Sequence, residues 1–160
     1  MVCCIDNFAT PSTIKQLYLS LVRPHLEYAA PLWDPYLQKD VDALEGVQKF
    51  AMKLITRKWD QGYTQLMQMV DLPSLQHRRL HLKLQHMFRI IHGLCDFPSI
   101  FQETTSYCER RARSHLLHQP FARTNAFFYS FVPSGATAWN HLTEQQVTAS
   151  SLQAFKRLLH

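Results

Sequence analysis

The sequence predicts a mainly α-helical protein, a bundle of about five to seven helices with a possible small β-hairpin in the C-terminal third. Apolar residues recur at helical spacing in several separate segments, and only four glycines occur in 160 residues. Hydrophobic residues make up 46% of the chain and aromatic residues 12%, which is typical of a globular protein and excludes a disordered one.

The first helix is predicted to begin at Thr10-Pro11, because threonine caps helix N-termini and proline suits the first helical position. Pro24 then breaks or kinks the helix near Val22-Arg23. Pro31 and Pro35 oppose a long straight helix in the next segment. The predicted buried face of the first helix consists of Ile14, Leu17, Tyr18, Leu21 and Val22.

A second helix is predicted from about Lys39 to Arg57, capped by Asp40 or a neighbour. Its predicted inner face consists of Val41, Leu44, Val47, Ala51, Leu54 and Ile55. Its C-terminal half is basic, and positive charge there is favourable next to the negative end of the helix dipole. The basic side chains could simply be solvated, or they could contact phosphates. The cations concerned are Lys49, Lys53, Arg57 and Lys58.

A short helix is predicted over Tyr63–Val70, followed by a long one that Pro73-Ser74 opens and Gly93 ends. The long helix has a predicted apolar face of Leu80, Leu84, Met87, Phe88 and Ile91.

The helical periodicity of apolar residues weakens after Pro98. This change predicts a helical region over residues 1–97 and a basic, loop-rich region over 98–160. Ser114 to Leu117 and Phe127 to Phe131 could pair as the hairpin. Val132 to Leu142 predicts a short helix anchored by Trp139. Ser150 or Ser151 caps a last helix whose apolar face is Leu152, Phe155 and Leu159.

The charge pattern favours a polyanion-binding surface, although a merely basic protein would also fit it. Seventeen Lys and Arg stand against twelve Asp and Glu. No acid lies between Leu72 and Cys95, or from Arg110 to His141, so an exposed basic face is predicted there. The candidate nucleic-acid-binding residues are Arg78, Arg79, Lys83, Arg89, Arg110, Arg111, Arg113 and Arg123.

The chemistry of an enzyme is not visible in the sequence. No two aspartates are adjacent, and Asp40 and Asp42 would point apart on a helix, so the paired carboxylates of a two-metal site are missing. His77 and His81 flank arginines that would repel a metal, and Cys108, His115 and His118 lack an evident fourth ligand. We therefore predict no catalytic residue, no metal and no cofactor.

The cysteines, at positions 3, 4, 95 and 108, form no disulfide framework, which favours reduced thiols and an intracellular location, nuclear or cytoplasmic. No signal peptide and no 18-residue apolar stretch is visible, so no membrane partner is predicted.

The segment from Ser20 to Ile55 reads SLVRPHLEYAAPLWDPYLQKDVDALEGVQKFAMKLI. It resembles part of the thumb and post-thumb region of non-LTR (LINE-type) retrotransposon reverse transcriptases. The resemblance covers roughly Pro11 to Leu159. It departs from the family at Ser134, near which many relatives carry arginine, and at Thr143, where they have Leu-Pro after Trp-Asn. Later landmarks follow in the same order: Leu72-Pro73-Ser74-Leu75 with Arg78-Arg79, Phe88 to Gly93, Arg113-Ser114-His115, Arg123-Thr124, Ser130-Phe131, Trp139-Asn140 and Ser151-Leu152 with Phe155-Lys156.

This resemblance implies a non-catalytic module that grips RNA or an RNA/DNA primer–template duplex through phosphate and sugar contacts. The polymerase chemistry would reside in a palm whose carboxylates have no counterpart here. Two alternatives stay open. The chain could be a host-retained protein-interaction or structural domain that self-associates through an apolar surface near Trp33, Pro35 and Tyr36. It could also be a decayed retrotransposon fragment.

Overall fold

The computed structural model describes residues 9–96 and 116–159, and this part of the chain is mainly helical, as predicted. It contains more helices than the about five to seven expected, because several are single turns that leave no periodic signal in the sequence. The elements are α1 (Pro11–Leu17), a π-helical segment (Tyr18–Val22), α2 (Arg23–Glu27), α3 (Ala30–Trp33), α4 (Gln38–Thr56), α5 (Tyr63–Val70), α6 (Leu75–Ile91), α7 (Asn125–Phe128), α8 (Phe131–Asn140), α9 (Glu144–Val147) and α10 (Leu152–Leu158).

The chain divides into two compact units. Unit 1 comprises Met1–Tyr28 and Pro35–Arg78, and unit 2 comprises Ala29–Asp34 and Arg79–His160. The predicted boundary at residues 97 and 98 stays a prediction. The change from unit 1 to unit 2 falls inside α6, a continuous helix in which composition gives no signal of a boundary.

Unit 1 has a small apolar core with a polar network at its centre. The core consists of Tyr18, Met52, Ile55, Leu66, Val70 and Leu72. The Tyr18 hydroxyl donates to Gln48 Oε1 at 2.8 Å, and Gln48 Nε2 donates to the Tyr63 hydroxyl at 3.1 Å and to the Pro73 carbonyl at 2.9 Å. Burial raises the pKa of Tyr18 to about 12, so its hydroxyl is protonated and donates throughout the neutral range.

The first helix begins as predicted, but it does not keep its predicted face. The Thr10 side chain accepts a hydrogen bond from the Thr13 amide at 3.3 Å, and Pro11 occupies the first turn. Ahead of Pro24 the helix widens into the π-helical segment, in which the Arg23 amide donates to the Tyr18 carbonyl. The wider turn changes the helical register. Tyr18 is buried, whereas Leu17, Leu21 and Val22 are exposed, which corrects the predicted face.

The face of α4 also differs from the prediction. Its bounds agree with it to within a residue, and Val41 and Ile55 are buried as expected. Val47 is exposed, however, and Gln48 and Met52 are fully buried instead. The predicted face missed Gln48 because a glutamine is buried only where its amide is satisfied, and here three partners satisfy it.

The core of unit 2 is built around three aromatic side chains from α6, α8 and α10 that pack against one another. The ring centroids of Phe88 and Phe155 are 4.7 Å apart, and those of Trp139 and Phe155 are 5.8 Å apart. Leu117 joins this core, and its backbone is held by the Asn140 side chain, which accepts from its amide at 2.8 Å and donates to its carbonyl at 3.1 Å. The predicted anchor Trp139 and the Ser151 cap of the last helix are confirmed.

The described arm of the possible hairpin, Phe127 to Phe131, forms no strand: a turn at Tyr129 and Ser130 separates two helical ends. It includes the end of α7 and the start of α8. The Thr124 side chain accepts from the Phe127 amide at 3.3 Å, so a helix cap decides the local conformation where aromatic composition favoured a strand. Ser114 and His115, in the other arm, lie outside the described residues.

Substitution by alanine is expected to change the free energy of unfolding in opposite directions at two glycines. A Cβ on Gly135 in α8 would lie 2.8 Å from Met87 Sδ, and Met87 is fully buried, whereas a Cβ on Gly46 in α4 would meet nothing within 4 Å. We expect Gly135→Ala to lower the free energy of unfolding by about 1–2 kcal/mol through overpacking. Gly46→Ala should raise it by about 0.5–1 kcal/mol through helix propensity. Urea unfolding of both variants checks the signs, and a stabilised Gly135→Ala would contradict the close contact.

Candidate nucleic-acid interface

The cations of α6 do not form the exposed basic face that the sequence predicted. Arg79 is fully buried, and Lys83 and His81 nearly so. Arg79 Nε donates to Asp34 Oδ1 at 3.0 Å, and Lys83 Nζ donates to Asp34 Oδ2 at 2.8 Å and to the Ser134 hydroxyl at 3.2 Å. Because Arg79 and Lys83 are four residues apart, they share one face of the helix, and that face meets a carboxylate in unit 2.

Arg78 is also engaged within the fold. Its Nη2 donates to Glu27 Oε2 at 2.9 Å, and its Nε donates to Glu27 Oε1, which gives a two-point pair. Hydrogen bonding to Glu27 raises the pKa of Arg78. Arg23 Nε lies 3.6 Å from the same carboxylate. Three of the candidate phosphate contacts, Arg78, Arg79 and Lys83, therefore neutralise internal acids.

The other candidate nucleic-acid-binding residues differ in their exposure, and three of them lie outside the described residues. Arg89 is half-buried and Arg123 is exposed, while Arg110, Arg111 and Arg113 lie outside the described residues. The partners Glu27 and Asp34 were visible in the sequence as isolated acids among apolar residues and prolines. Such acids, where they are buried, need a cation as partner. They therefore signal that a partner exists, but not which cation it is.

A different surface combines the exposed Lys49 and Lys58 and the half-buried Lys53 with exposed aromatic rings, at the C-terminal end of α4. We call it the α4-end patch; it consists of Lys49, Phe50, Lys53, Lys58 and Trp59. Phe50 and Trp59 expose 49% and 47% of their surface, and their ring centroids are 6.0 Å apart in an edge-on arrangement. Lys53 Nζ lies 6.0 Å from the Trp59 ring centroid.

Local sequence explains how this patch forms. Arg57 adopts a left-handed conformation with φ of 57°, which ends α4 and lets the following residues fold back along the helix. Lys49 and Lys53 lie one turn apart on the same face. Asp60 is the single acid from Gly46 to Val70, so little negative charge opposes these cations.

The apolar residues predicted to mediate self-association are partly exposed. Trp33 in unit 2 and Tyr36 in unit 1 are exposed by 40% and 47%, and Pro35 is half-buried. Self-association through these residues stays a prediction.

No metal-binding arrangement occurs in the described ranges, where no group of three or more His, Cys, Asp or Glu side chains could hold an ion. His118 is exposed, and Cys108 and His115 lie outside those ranges. Across residues 9–96 and 116–159, no helix has both the length and the apolar character needed to cross a bilayer.

Comparison of this chain with protein-family models, with curated proteins and with solved structures finds no match.

Proposed function

We propose that this chain is a non-catalytic helical module that binds RNA or an RNA/DNA duplex, and that it resembles the thumb and post-thumb region of a LINE-type reverse transcriptase. The α4-end patch is the observation that supports this proposal. It presents cations beside exposed rings on the surface of unit 1, whereas the α6 cations Arg78, Arg79 and Lys83 are occupied by carboxylates.

The patch has the two chemical components of sequence-independent nucleic-acid binding. Exposed lysines neutralise phosphates and release counterions, which makes affinity fall as salt rises. An exposed indole can stack on an unpaired base, and such stacking tolerates any sequence because every base has a π-face. Phe50 supports the Trp59 ring from its edge, so part of the cost of ordering that ring is met before a ligand binds.

The test is a titration of fluorescently labelled single-stranded RNA at several salt concentrations. We expect Trp59→Ala to weaken binding by about 1–3 kcal/mol, the usual contribution of one stacked base. Lys49→Ala and Lys53→Ala should each reduce the salt slope by about one unit. Lys39→Ala is the matched control, because Lys39 is an exposed lysine at the opposite end of the same helix.

Two results would contradict this proposal. One is tight RNA binding without any salt dependence. The other is an equal effect of Lys39→Ala and Lys53→Ala, which would make the binding a property of net charge alone. The non-catalytic part of the proposal has its own check: pure protein given primer, template, nucleotides and Mg²⁺ should extend nothing.

The second candidate is a host-retained protein-interaction domain. The exposure of Leu17, Leu21 and Val22 on unit 1 favours it, because these large apolar side chains follow one another within six residues of helix. Light scattering coupled to size-exclusion chromatography separates the two candidates. An oligomer that is indifferent to RNA supports this one, and a monomer that binds RNA supports the first.

A further inference from the structure

Two residues of α4 contact the indole of Trp59 from the same side. Lys53 Nζ lies over the ring, 6.0 Å from its centroid, and the Phe50 ring meets it edge-on with centroids 6.0 Å apart. Because Phe50 and Lys53 are three residues apart in one helix, they share a helix face and cover the side of the indole that is turned towards α4. The 47% of Trp59 that stays exposed therefore lies mainly on the side turned away from the helix.

An indole that is covered on one side and exposed on the other can take one further ring. The bases of a single strand are unpaired, so one of them can turn towards such a ring and stack on it. In a duplex, each base inside the helix is paired and is stacked on both sides. Bringing it out costs about as much free energy as one stack on an aromatic side chain returns. A duplex therefore leaves the indole unused.

The cations nearest the ring are placed for the backbone of the strand that supplies the base. Lys58 is exposed and precedes Trp59 directly in the chain, and Lys53 lies over the ring itself. Lys49 is exposed one turn before Lys53 on the same helix face. A flexible single strand can bring its phosphates to these lysines while one of its bases lies on the indole. A duplex can offer them its phosphates only.

We propose that the ligand of the α4-end patch is an unpaired RNA strand, one base of which stacks on the exposed side of Trp59 while neighbouring phosphates contact Lys53 and Lys58. This inference rests on the proposed RNA binding and narrows it to single strands. An RNA/DNA duplex binds the same lysines through its phosphates, without the contribution of the stacked base.

The probes are a labelled single-stranded RNA and a long RNA/DNA duplex, whose ends are a small share of its binding sites, each titrated against the full chain at the same salt concentration. We expect Trp59→Ala to weaken binding of the single strand by about 5- to 100-fold. Binding of the duplex should change by less than about twofold, because its phosphate contacts are kept. Phe121→Ala is the matched control, since Phe121 is an exposed ring of unit 2 and the α4-end patch belongs to unit 1.

Two further variants separate stacking from apolar contact. Trp59→Phe should keep part of the single-strand affinity, because a phenyl ring also stacks on a base. Trp59→Leu is apolar but has no π-face, and it should lose as much affinity as Trp59→Ala.

Tryptophan fluorescence reports the stack directly, because a base stacked on an indole quenches its emission. The single strand should quench part of the emission in the original chain and none of that part in Trp59→Phe. The duplex should leave the emission unchanged. The emission that remains comes from the other two tryptophans, Trp33 and Trp139.

Several results would overturn the inference: a single-strand affinity that Trp59→Ala leaves unchanged, an equal loss for the single strand and the duplex, an equal loss in Phe121→Ala, or quenching by the duplex. If Lys49→Ala and Lys53→Ala still reduce the salt slope in that case, the patch binds RNA through phosphates alone and the proposed function stands. Absence of salt-dependent binding to both probes would instead remove the proposed function, and this inference with it.

Discussion

Replacing Asp34 by asparagine is expected to lower the free energy of unfolding by about 3–5 kcal/mol, which is the cost of removing one partner from a buried ion pair. Arg79 is fully buried, and Asp34 holds its Nε at 3.0 Å. Arg79 Nη1 and Nη2 have no hydrogen-bond partner in the described part of the protein, so the guanidinium has little else to compensate its charge. Urea unfolding followed by circular dichroism measures the loss.

Two further variants test the cause of that loss. Arg79→Met should cost less than Asp34→Asn, because it removes the buried charge and leaves Asp34 paired with Lys83. Glu27→Gln breaks the other α6 ion pair, in which the Arg78 side chain is 28% exposed and can be rehydrated, so a loss of about 1 kcal/mol or less is expected. If Glu27→Gln were as damaging as Asp34→Asn, burial would not be what makes the Asp34 pair important.

The helices that the sequence predicted well are those with their own start and stop signals. Thr10-Pro11 and Ser151 cap their helices, Gly93 has a φ of 63°, and α5 has the predicted bounds. These signals act within a few residues of the chain, so a linear sequence contains them in full. Together with the helical spacing of the apolar residues, they indicated the helical class of the fold.

The faces of the helices were predicted less well, because they depend on partners that are distant in sequence. Leu80 fits the apolar stripe of α6 but is exposed, while Arg79 beside it is buried through an acid 45 positions away. The π-helical segment before Pro24 turned Leu21 outward in the same way, by changing a register that periodicity assumes to be constant.

The same limit applies to the candidate interface. A run of cations without acids predicted a basic face on α6, but local composition does not reveal that Glu27 and Asp34 supply the missing acids from elsewhere in the chain. The α4-end patch was easier to foresee, because Lys49, Lys53 and Trp59 are close in sequence and helix geometry alone brings the lysines to one face. Contacts between residues a few helical turns apart can be predicted from the sequence, whereas the two partners of a long-range ion pair cannot.

The second large effect is expected at Glu45, a carboxylate of α4 that caps the N-terminus of α6. Glu45 Oε2 accepts from the Leu75 amide at 3.2 Å, and Oε1 accepts from the Gln76 amide at 2.6 Å. The Tyr63 hydroxyl also donates to Oε2, and burial together with this bond raises the pKa of Tyr63. One side chain thereby ties α4, α5 and the start of α6 together within unit 1.

We expect Glu45→Ala to lower the free energy of unfolding by about 2–4 kcal/mol, because a helix cap and charged hydrogen bonds are lost together. Asp42→Ala on the same helix is the control, since Asp42 is exposed and accepts from Gln38 one turn away, and its loss should stay within about 0.5 kcal/mol. Hydrogen exchange distinguishes a cap from general destabilisation: the Leu75 and Gln76 amides should exchange faster in Glu45→Ala than the rest of α6 does. Uniform acceleration along α6, or a loss no larger than that of Asp42→Ala, would show that this carboxylate does not hold the end of the helix.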